Sequence, residues 1–249
     1  MSQLNGKTAL ITGGSTGIGL ATAIRLANDG ARVAIAARNE ADLEKALKEI
    51  PGNPIAIKTD VASREDRANL YEQVKKEFGS LDILFVNAGI AEFAPLSDAT
   101  EDHFDKVINI NLKGAYFTVQ SLLPILNEGS SVVLTTSVVN VKGMPGTSVY
   151  SLSKAGLRSM ARTLSADLVE RKIRVNAIAP GPIETPIFGK LGMPQEALDQ
   201  FSQQMIEKVP VKRFGQSEEV ANAVAFLASE QSSYIVGAEI EVDGGFSQI

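Results

Sequence analysis

The chain contains no cysteine and a single histidine. Without a thiol there is no disulfide, no iron–sulfur cluster and no sulfur nucleophile. With one imidazole and no clustered ligands, His103 in "TEDHFDK" reads as a surface position at the polar start of a helix, not a metal centre. Long apolar runs are also absent, so nothing approaches a membrane span. The opening stretch "MSQLNGKTALITGG" lacks the basic-then-apolar order of a signal peptide, and the cytoplasm is the expected compartment. Nor is there an excess of basic charge: 24 Lys and Arg stand against 29 Asp and Glu, a net charge of -5, which gives no reason to expect a nucleic-acid partner.

What the 249 residues do contain is a regular alternation. "TALIT" (8–12), "RVAIAA" (32–37), "PIAIKT" (54–59), "DILFVN" (82–87), "SVVLTT" (131–136), "IRVNAIA" (173–179) and "AEIEVD" (238–243) are short, β-branched and continuously apolar, as strands buried on both faces must be. Helical patterns such as "GLATAIRLANDG", "REDRANLYEQVKKEFG" and "EEVANAVAFLAS" lie between them. This order predicts an α/β fold: a single-domain Rossmann, doubly wound parallel sheet of seven strands with helices on both faces. The one irregular stretch runs from about Pro180 to Gly215, and a substrate-covering flap is expected at about 182–214.

The stretch "ITGGSTGIG" (11–19) supports two incompatible readings. As Gly13-x-Ser15-x-Gly17 it matches the turn that exposes a nucleophilic serine in hydrolases. As a glycine cluster between the first strand and first helix it is a backbone cradle for a pyrophosphate. The hydrolase reading needs an oxyanion loop from an earlier strand and a general base. No strand precedes residue 8, and nothing places His103 near this turn. The cradle reading stands. The second strand ends "AIAARNEAD", with Ala37 where an acid would bind the 2′-OH of NAD and Arg38 beside it, so NADP(H) is the expected cofactor.

Tyr150 and Lys154 in "YSLSK" share one helix face. A neighbouring ammonium would lower the phenol pKa and fit Tyr150 for proton transfer. The spacing alone is not informative, because "YEQVK" gives the same pair at Tyr71 and Lys75. Context separates them. Over essentially its whole length the chain resembles the short-chain dehydrogenase/reductase family, through "TGGSTGIG", Asp60–Val61, "NAG" at Asn87–Gly89, Asn111 in "NINL", Ser137 in "TTS", "YSLSK" and "PGPIET" at 180–185. Val86 stands where many members have a second Asn.

The resemblance implies roles. Tyr150 would be the general acid/base, Lys154 would tune it and bind the nicotinamide ribose, and Ser137 would hold the substrate oxygen. Asn111 would hold a water that passes protons outward from Lys154. Gly13, Ser15, Thr16, Gly17, Ile18 and Gly19 would frame the phosphates, with Arg38 and Asn39 at the adenosine 2′ end. Asp60 and Val61 would frame the adenine, and Asn87, Ala88 and Gly89 the adenosine ribose. Pro180, Gly181, Ile183 and Thr185 would meet the carboxamide and phosphate. No resident metal is expected, although the C-terminus of some members binds a divalent ion, at a position near Gln248.

The implied reaction is reversible hydride transfer between NADP(H) and a ketone/secondary alcohol pair. Val139, Met144, Pro145, Val149 and Phe188 are expected around a mostly apolar substrate pocket. The alternative within the family is reduction of 3-oxoacyl groups on acyl carrier protein, which calls for a basic docking patch. Here its positions carry Arg171 but also Glu128. A non-catalytic redox sensor is a third reading, although it would have no need for Ser137, Tyr150 and Lys154 together. The family's usual assembly is a homotetramer.

Overall fold

The structure, a computed structural model, describes residues 4–185 and 195–249. Seven parallel strands form one sheet in the order β3-β2-β1-β4-β5-β6-β7. In chain order they are β1 (Thr8–Thr12), β2 (Arg32–Ala37), β3 (Ile55–Lys58), β4 (Leu81–Val86), β5 (Leu126–Thr135), β6 (Arg174–Pro180) and β7 (Glu239–Val242). The helices are α1 (Gly17–Asn28), α2 (Glu40–Glu49), α3 (Arg64–Phe78), α4 (Glu101–Ile108), α5 (Ala115–Leu122), α6 (Ser148–Leu168), α7 (Gln195–Lys208) and α8 (Ser217–Ala228).

Alternate strand residues point to opposite faces, so each apolar run serves two cores. Leu10, Leu84, Val132 and Leu134 pack against Leu70 of α3, Val119 and Leu122 of α5, and Leu157 and Ala161 of α6. Ile11, Ile35, Phe85, Val133 and Ile178 pack against Ala23 and Leu26 of α1, Leu43 of α2, and Val220, Val224 and Leu227 of α8. Strand β5 starts five residues earlier than its apolar run, at Leu126. The register beside it shifts between Leu81 and Ile83, which takes up the polar "NEGS" segment.

The winding leaves one opening. From β1 the chain steps outward to β2 and β3, then returns to lay β4 on the other side of β1. Connections therefore diverge at the carboxyl ends of β1 and β4, where open α/β sheets bind ligands. Helices α4 and α5 meet in a π-helical segment at Asn109–Gly114, so the crossover is locally unwound next to that opening. Beyond β6, Gly215 donates its N–H to Pro182 O and accepts from Glu184 N, both at 2.9 Å. Residues 182–185 are thereby pinned beside the start of α8, and Met205 of α7 and Val209 just after it pack on Val138, Val139 and Phe246. Among the described residues no helix is long and apolar enough to cross a membrane.

Candidate active site

A cleft of about 580 Å³ opens along the carboxyl ends of the strands, and most residues singled out from the sequence line it. Its first wall is the turn after β1. Gly13 adopts φ +64, and a Cβ there would lie 3.0 Å from Ala88 Cα. At Gly19 a Cβ would lie 2.1 Å from Gly13 O. Ser15, Thr16, Gly17 and Ile18 face the cleft, whereas Gly19 does not; it lets α1 sit directly on the turn. Thr16 at the N-cap of α1 makes no side-chain cap bond, and the first turn of α1 holds no acid. Asn39, Ser63 and Thr100 do cap α2, α3 and α4. The N–H groups of α1 are thus left for an outside acceptor, and the helix dipole favours an anion there. A dinucleotide phosphate fits this turn. No imidazole approaches Ser15: the His103 ring is half-buried on α4, with Nε2 3.3 Å from Glu92 O, so it holds the loop after β4 and is not a free surface residue.

Arg38 is exposed at the end of β2 and lines the cleft with Asn39. The Asn39 carboxamide oxygen accepts from Ala41 N and Asp42 N, so this side chain is committed to the helix cap. Asp42, absent from the sequence expectations, also lines the cleft because the first turn of α2 folds back beside Arg38. Asp60 and Val61 are fixed from α3: Asp60 N donates to Asp66 Oδ2 at 2.7 Å and Arg67 donates to Val61 O at 2.5 Å. Hydrogen bonds to Asp66, the one from Asp60 N foremost, hold its carboxyl below the usual range. Asn87 donates to Thr12 O and Gly13 O and accepts from Thr135 Oγ1, so its amide ties β1, β4 and β5 together, with Ala88 and Gly89 lining the cleft beyond it. Pro180, Gly181, Ile183 and Thr185 line the opposite wall.

The chemical groups converge from two elements. Ser137 follows β5, and α6 carries Tyr150 and Lys154 one turn apart. The Tyr150 ring is part-buried, with Phe93 edge-on at 5.6 Å. Burial pushes its phenol up to about 12, and a hydrogen bond with the Ser137 side chain pulls the other way. Burial pushes the Lys154 ammonium down to about 8. Lys154 Nζ donates to Thr135 O at 2.8 Å and lies 5.6 Å from the Tyr150 ring centre. The expectation that Lys154 lowers the Tyr150 pKa is not met in this state: burial of the ring outweighs a cation that is engaged elsewhere. Tyr71 and Lys75 have a similar spacing, with Nζ 5.4 Å from the ring centre, but Lys75 is exposed and its ammonium is raised by its bond to Tyr71. Burial, not spacing, separates the two pairs.

Asn111 is buried inside the π segment and does not line the cleft. Its amide accepts from Ile90 N at 2.8 Å and donates to Ile90 O at 2.9 Å and Ser153 Oγ at 3.2 Å, so the side chain holds the "NAGI" loop against α6. A Cβ at Gly89 would lie 3.2 Å from Asn111 Oδ1 and 3.8 Å from Lys154 Nζ, so a glycine there keeps a small gap between the two.

At the outer end Val139, Met144 and Pro145 line the cleft. Val149 does not: it precedes Tyr150 by one residue, about 100° around the helix, and turns into the protein. Phe188 lies outside the described residues. Phe93, Met205 and Phe246 complete this wall without having been expected. They come from three distant segments, and nothing local marks them as partners. Phe246 is the most legible afterwards, as the apolar residue that ends "VDGGF".

Three comparisons with known proteins agree with this geometry. The family model described as enoyl-(acyl carrier protein) reductase matches residues 13–247. The oxidoreductase asL5 of Sarocladium schorii is 42% identical over 100% of this chain and 99% of its own. The 3-oxoacyl-(acyl-carrier-protein) reductase of Thermotoga maritima is 41% identical over 98% of both. Among solved structures, levodione reductase superposes with a TM-score of 0.90 at 34% identity, covering 98% of both chains. A short-chain dehydrogenase/reductase from Serratia marcescens gives 0.90 at 32%, covering 98% of this chain and 99% of that one.

Proposed function

The chain belongs to the short-chain dehydrogenase/reductase family of oxidoreductases, and from that premise we propose that it reduces an apolar ketone with NADP(H), reversibly. The observation that carries this is the opening of Ser137, Tyr150 and Lys154 into the same cleft as the glycine turn. When bound, the dinucleotide supplies or accepts a hydride. Tyr150, whose phenol keeps its proton across the neutral range, donates it to the nascent alkoxide. Ser137 hydrogen-bonds the same oxygen and offsets its developing charge. Lys154 would hold the nicotinamide ribose, and a proton path outward would run past Asn111. Oxidation of the alcohol runs the steps backward and needs Tyr150 to lose its proton, which the neighbouring Lys154 ammonium would assist by favouring the phenolate.

Support for NADP(H) over NAD(H) comes from Ala37 and exposed Arg38, and Ser15 borders the same phosphate end. Asp42 is the opposing charge on that rim. The lining by Phe93, Val139, Met144, Met205 and Phe246 favours an uncharged, lipophilic substrate. Carrier-bound 3-oxoacyl groups are the second reading, because the relative from Thermotoga maritima is named for that activity. The surface at its docking positions is poorly suited: Glu128 pairs with Lys172 at 2.6 Å, and Arg171 donates to Leu123 O and Leu126 O. Little free positive charge remains there for an acidic partner. We read the chain as one cytoplasmic domain; of the flap expected at about 182–214, residues 186–194 lie outside the described residues, and Ile183, Thr185 and Met205 line the cleft. A homotetramer through α5, α6 and the β7 edge accords with exposed Tyr116, Leu152, Tyr234 and Val236.

The test is NADPH oxidation followed by absorbance with small ketones, diketones and an acetoacetyl thioester in parallel. Replacing Tyr150 with Phe should lower kcat at least about a hundredfold and leave NADPH binding intact. Near-normal ketone reduction by Tyr150→Phe would overturn the assignment. Turnover of the thioester alone would favour the carrier-protein reading, and turnover of nothing would leave the sensor.

A further inference from the structure

Glu239, the first residue of β7, buries a carboxylate outside the cleft, with its side chain 6% exposed. Three elements close on it. Thr136 Oγ1 donates to Oε1 at 2.5 Å, Asn140 Nδ2 donates to both oxygens at 2.9 and 3.0 Å, and Arg158 Nε lies 3.5 Å from Oε2. Thr136 immediately precedes Ser137. Asn140 closes the short turn after it, with Asn140 N donating to Ser137 O at 3.0 Å. Arg158 stands on α6 one turn past Lys154 and two past Tyr150, and is itself fixed by donating to Gly237 O at 2.8 Å.

The Ser137 hydroxyl meets the Tyr150 phenol in a side-chain hydrogen bond, and otherwise only Val139 N approaches it, at 3.5 Å. Its placement also rests on the backbone on either side, where the Asn140 amide ends on Glu239 and Thr136 Oγ1 lies within reach of both Glu239 Oε1 and Ile178 O. Asn140 Oδ1 is left buried with no partner among the described residues. The amide is thus oriented by the carboxylate and not by a self-sufficient turn.

We propose that Glu239 is a positioning residue that fixes Ser137 relative to Tyr150 by joining the segment around the serine to the helix that carries the tyrosine. It touches neither substrate nor cofactor and acts through the serine. The proposal rests on the reading of Ser137 as the group that holds the carbonyl oxygen. A carboxylate suits the task because two neutral donors and a guanidinium must share one acceptor group, which neutral side chains do poorly in a buried site.

A purely structural staple would make the same contacts, but a double-mutant cycle tells the two apart. NADPH oxidation is measured on the full-length protein with diacetyl, cyclohexanone and an acetoacetyl thioester, for the parent, Glu239→Ala, Glu239→Gln, Ser137→Ala and the double variant Ser137→Ala/Glu239→Ala. NADPH affinity by fluorescence and Tm accompany each. Glu239→Ala should lower kcat roughly tenfold to a hundredfold, as expected for a misplaced catalytic group, with cofactor affinity within about twofold. Glu239→Gln, which keeps an acceptor for Thr136, should stay within about threefold of the parent. With Ser137 already removed, the same Glu239→Ala change should cost less than about twofold, because residues acting through one another are not additive. If Glu239→Ala does not fold, Thr136→Val removes one arm with the shape kept, and the same cycle is run with it. An equal loss with and without Ser137 would overturn the proposal. A fully active Ser137→Ala, in contrast, would overturn the role of the serine itself. A parent inactive on every carbonyl would overturn the ketone reduction on which both rest.

Discussion

At the residue scale, Lys154 combines a stability cost with a function. Burial lowers its pKa from 10.5 to about 8, a shift equivalent to roughly 3 kcal/mol against the charged form. Replacing Lys154 with Met should therefore abolish turnover while raising Tm by several degrees at neutral pH. The sign with pH follows from linkage. Below pH 8 the lysine is charged in both the folded and unfolded states and the penalty is complete. Between pH 8 and 10.5 the folded protein releases its proton first, so the parent gains on the variant as pH rises. Melting curves from about pH 7 to 10.5 check this: a stability gap independent of pH would contradict it. The "YSLSK" pattern marks Tyr150 and Lys154 as candidates, yet the identically spaced Tyr71 and Lys75 show why their charge states could not be read there. Those depend on how deeply each pair is buried, which sequence neighbours do not set.

At the element scale, Arg174 shows the same division. In the sequence it is a polar residue opening an apolar strand. In the fold its buried guanidinium donates to Leu227 O, Ser229 O and Ser232 O and to Ser232 Oγ, closing the C-terminal end of α8 against the first residue of β6. Burial lowers its pKa, with Glu230 opposing. Substituting Arg174 by Met removes these charge-assisted bonds while Ser131 Oγ, Ser232 Oγ and Ile235 N still donate to the carbonyls, and should cost about 1.5–3 kcal/mol in chemical denaturation. Activity per folded molecule should stay close to the parent's, since Arg174 does not line the cleft. The π segment at Asn109–Gly114 was equally hidden, because a helix with one widened turn keeps nearly the same apolar spacing as a regular one. The glycine turn is the opposite case. The places of Gly13 and Gly19 are evident in "TGGSTGIG" because both constraints, a left-handed backbone and a contact closer than a side chain allows, act over a few residues.

At the scale of the whole molecule, the cleft joins a nucleotide end to a substrate end, and the two can be tested separately. Arg38→Ala should raise KM for NADPH about tenfold while that for NADH changes little, because only a 2′-phosphate would meet the guanidinium. Equal effects on both cofactors would remove the basis for preferring NADP(H). Light scattering should give about four times the monomer mass if α5, α6 and the β7 edge are covered by copies of the chain. The alternation of apolar runs with helical patterns determined the doubly wound parallel sheet, while the strand order that puts its switch point between β1 and β4 came from the fold. The glycine turn and the order of the motifs located the nucleotide end and the serine, tyrosine and lysine. All of these except the strand order follow from backbone preferences and periodicities that operate within one strand or helix. Tertiary structure alone decided which walls close the substrate end, where Phe93, Met205 and Phe246 arrive from segments far apart in the chain. It also decided that Tyr150 keeps its proton while Lys154 is pressed to release one, and that Glu239 gathers Thr136, Asn140 and Arg158. Burial and charge pairing are set by neighbours in space, and only the folded chain supplies them.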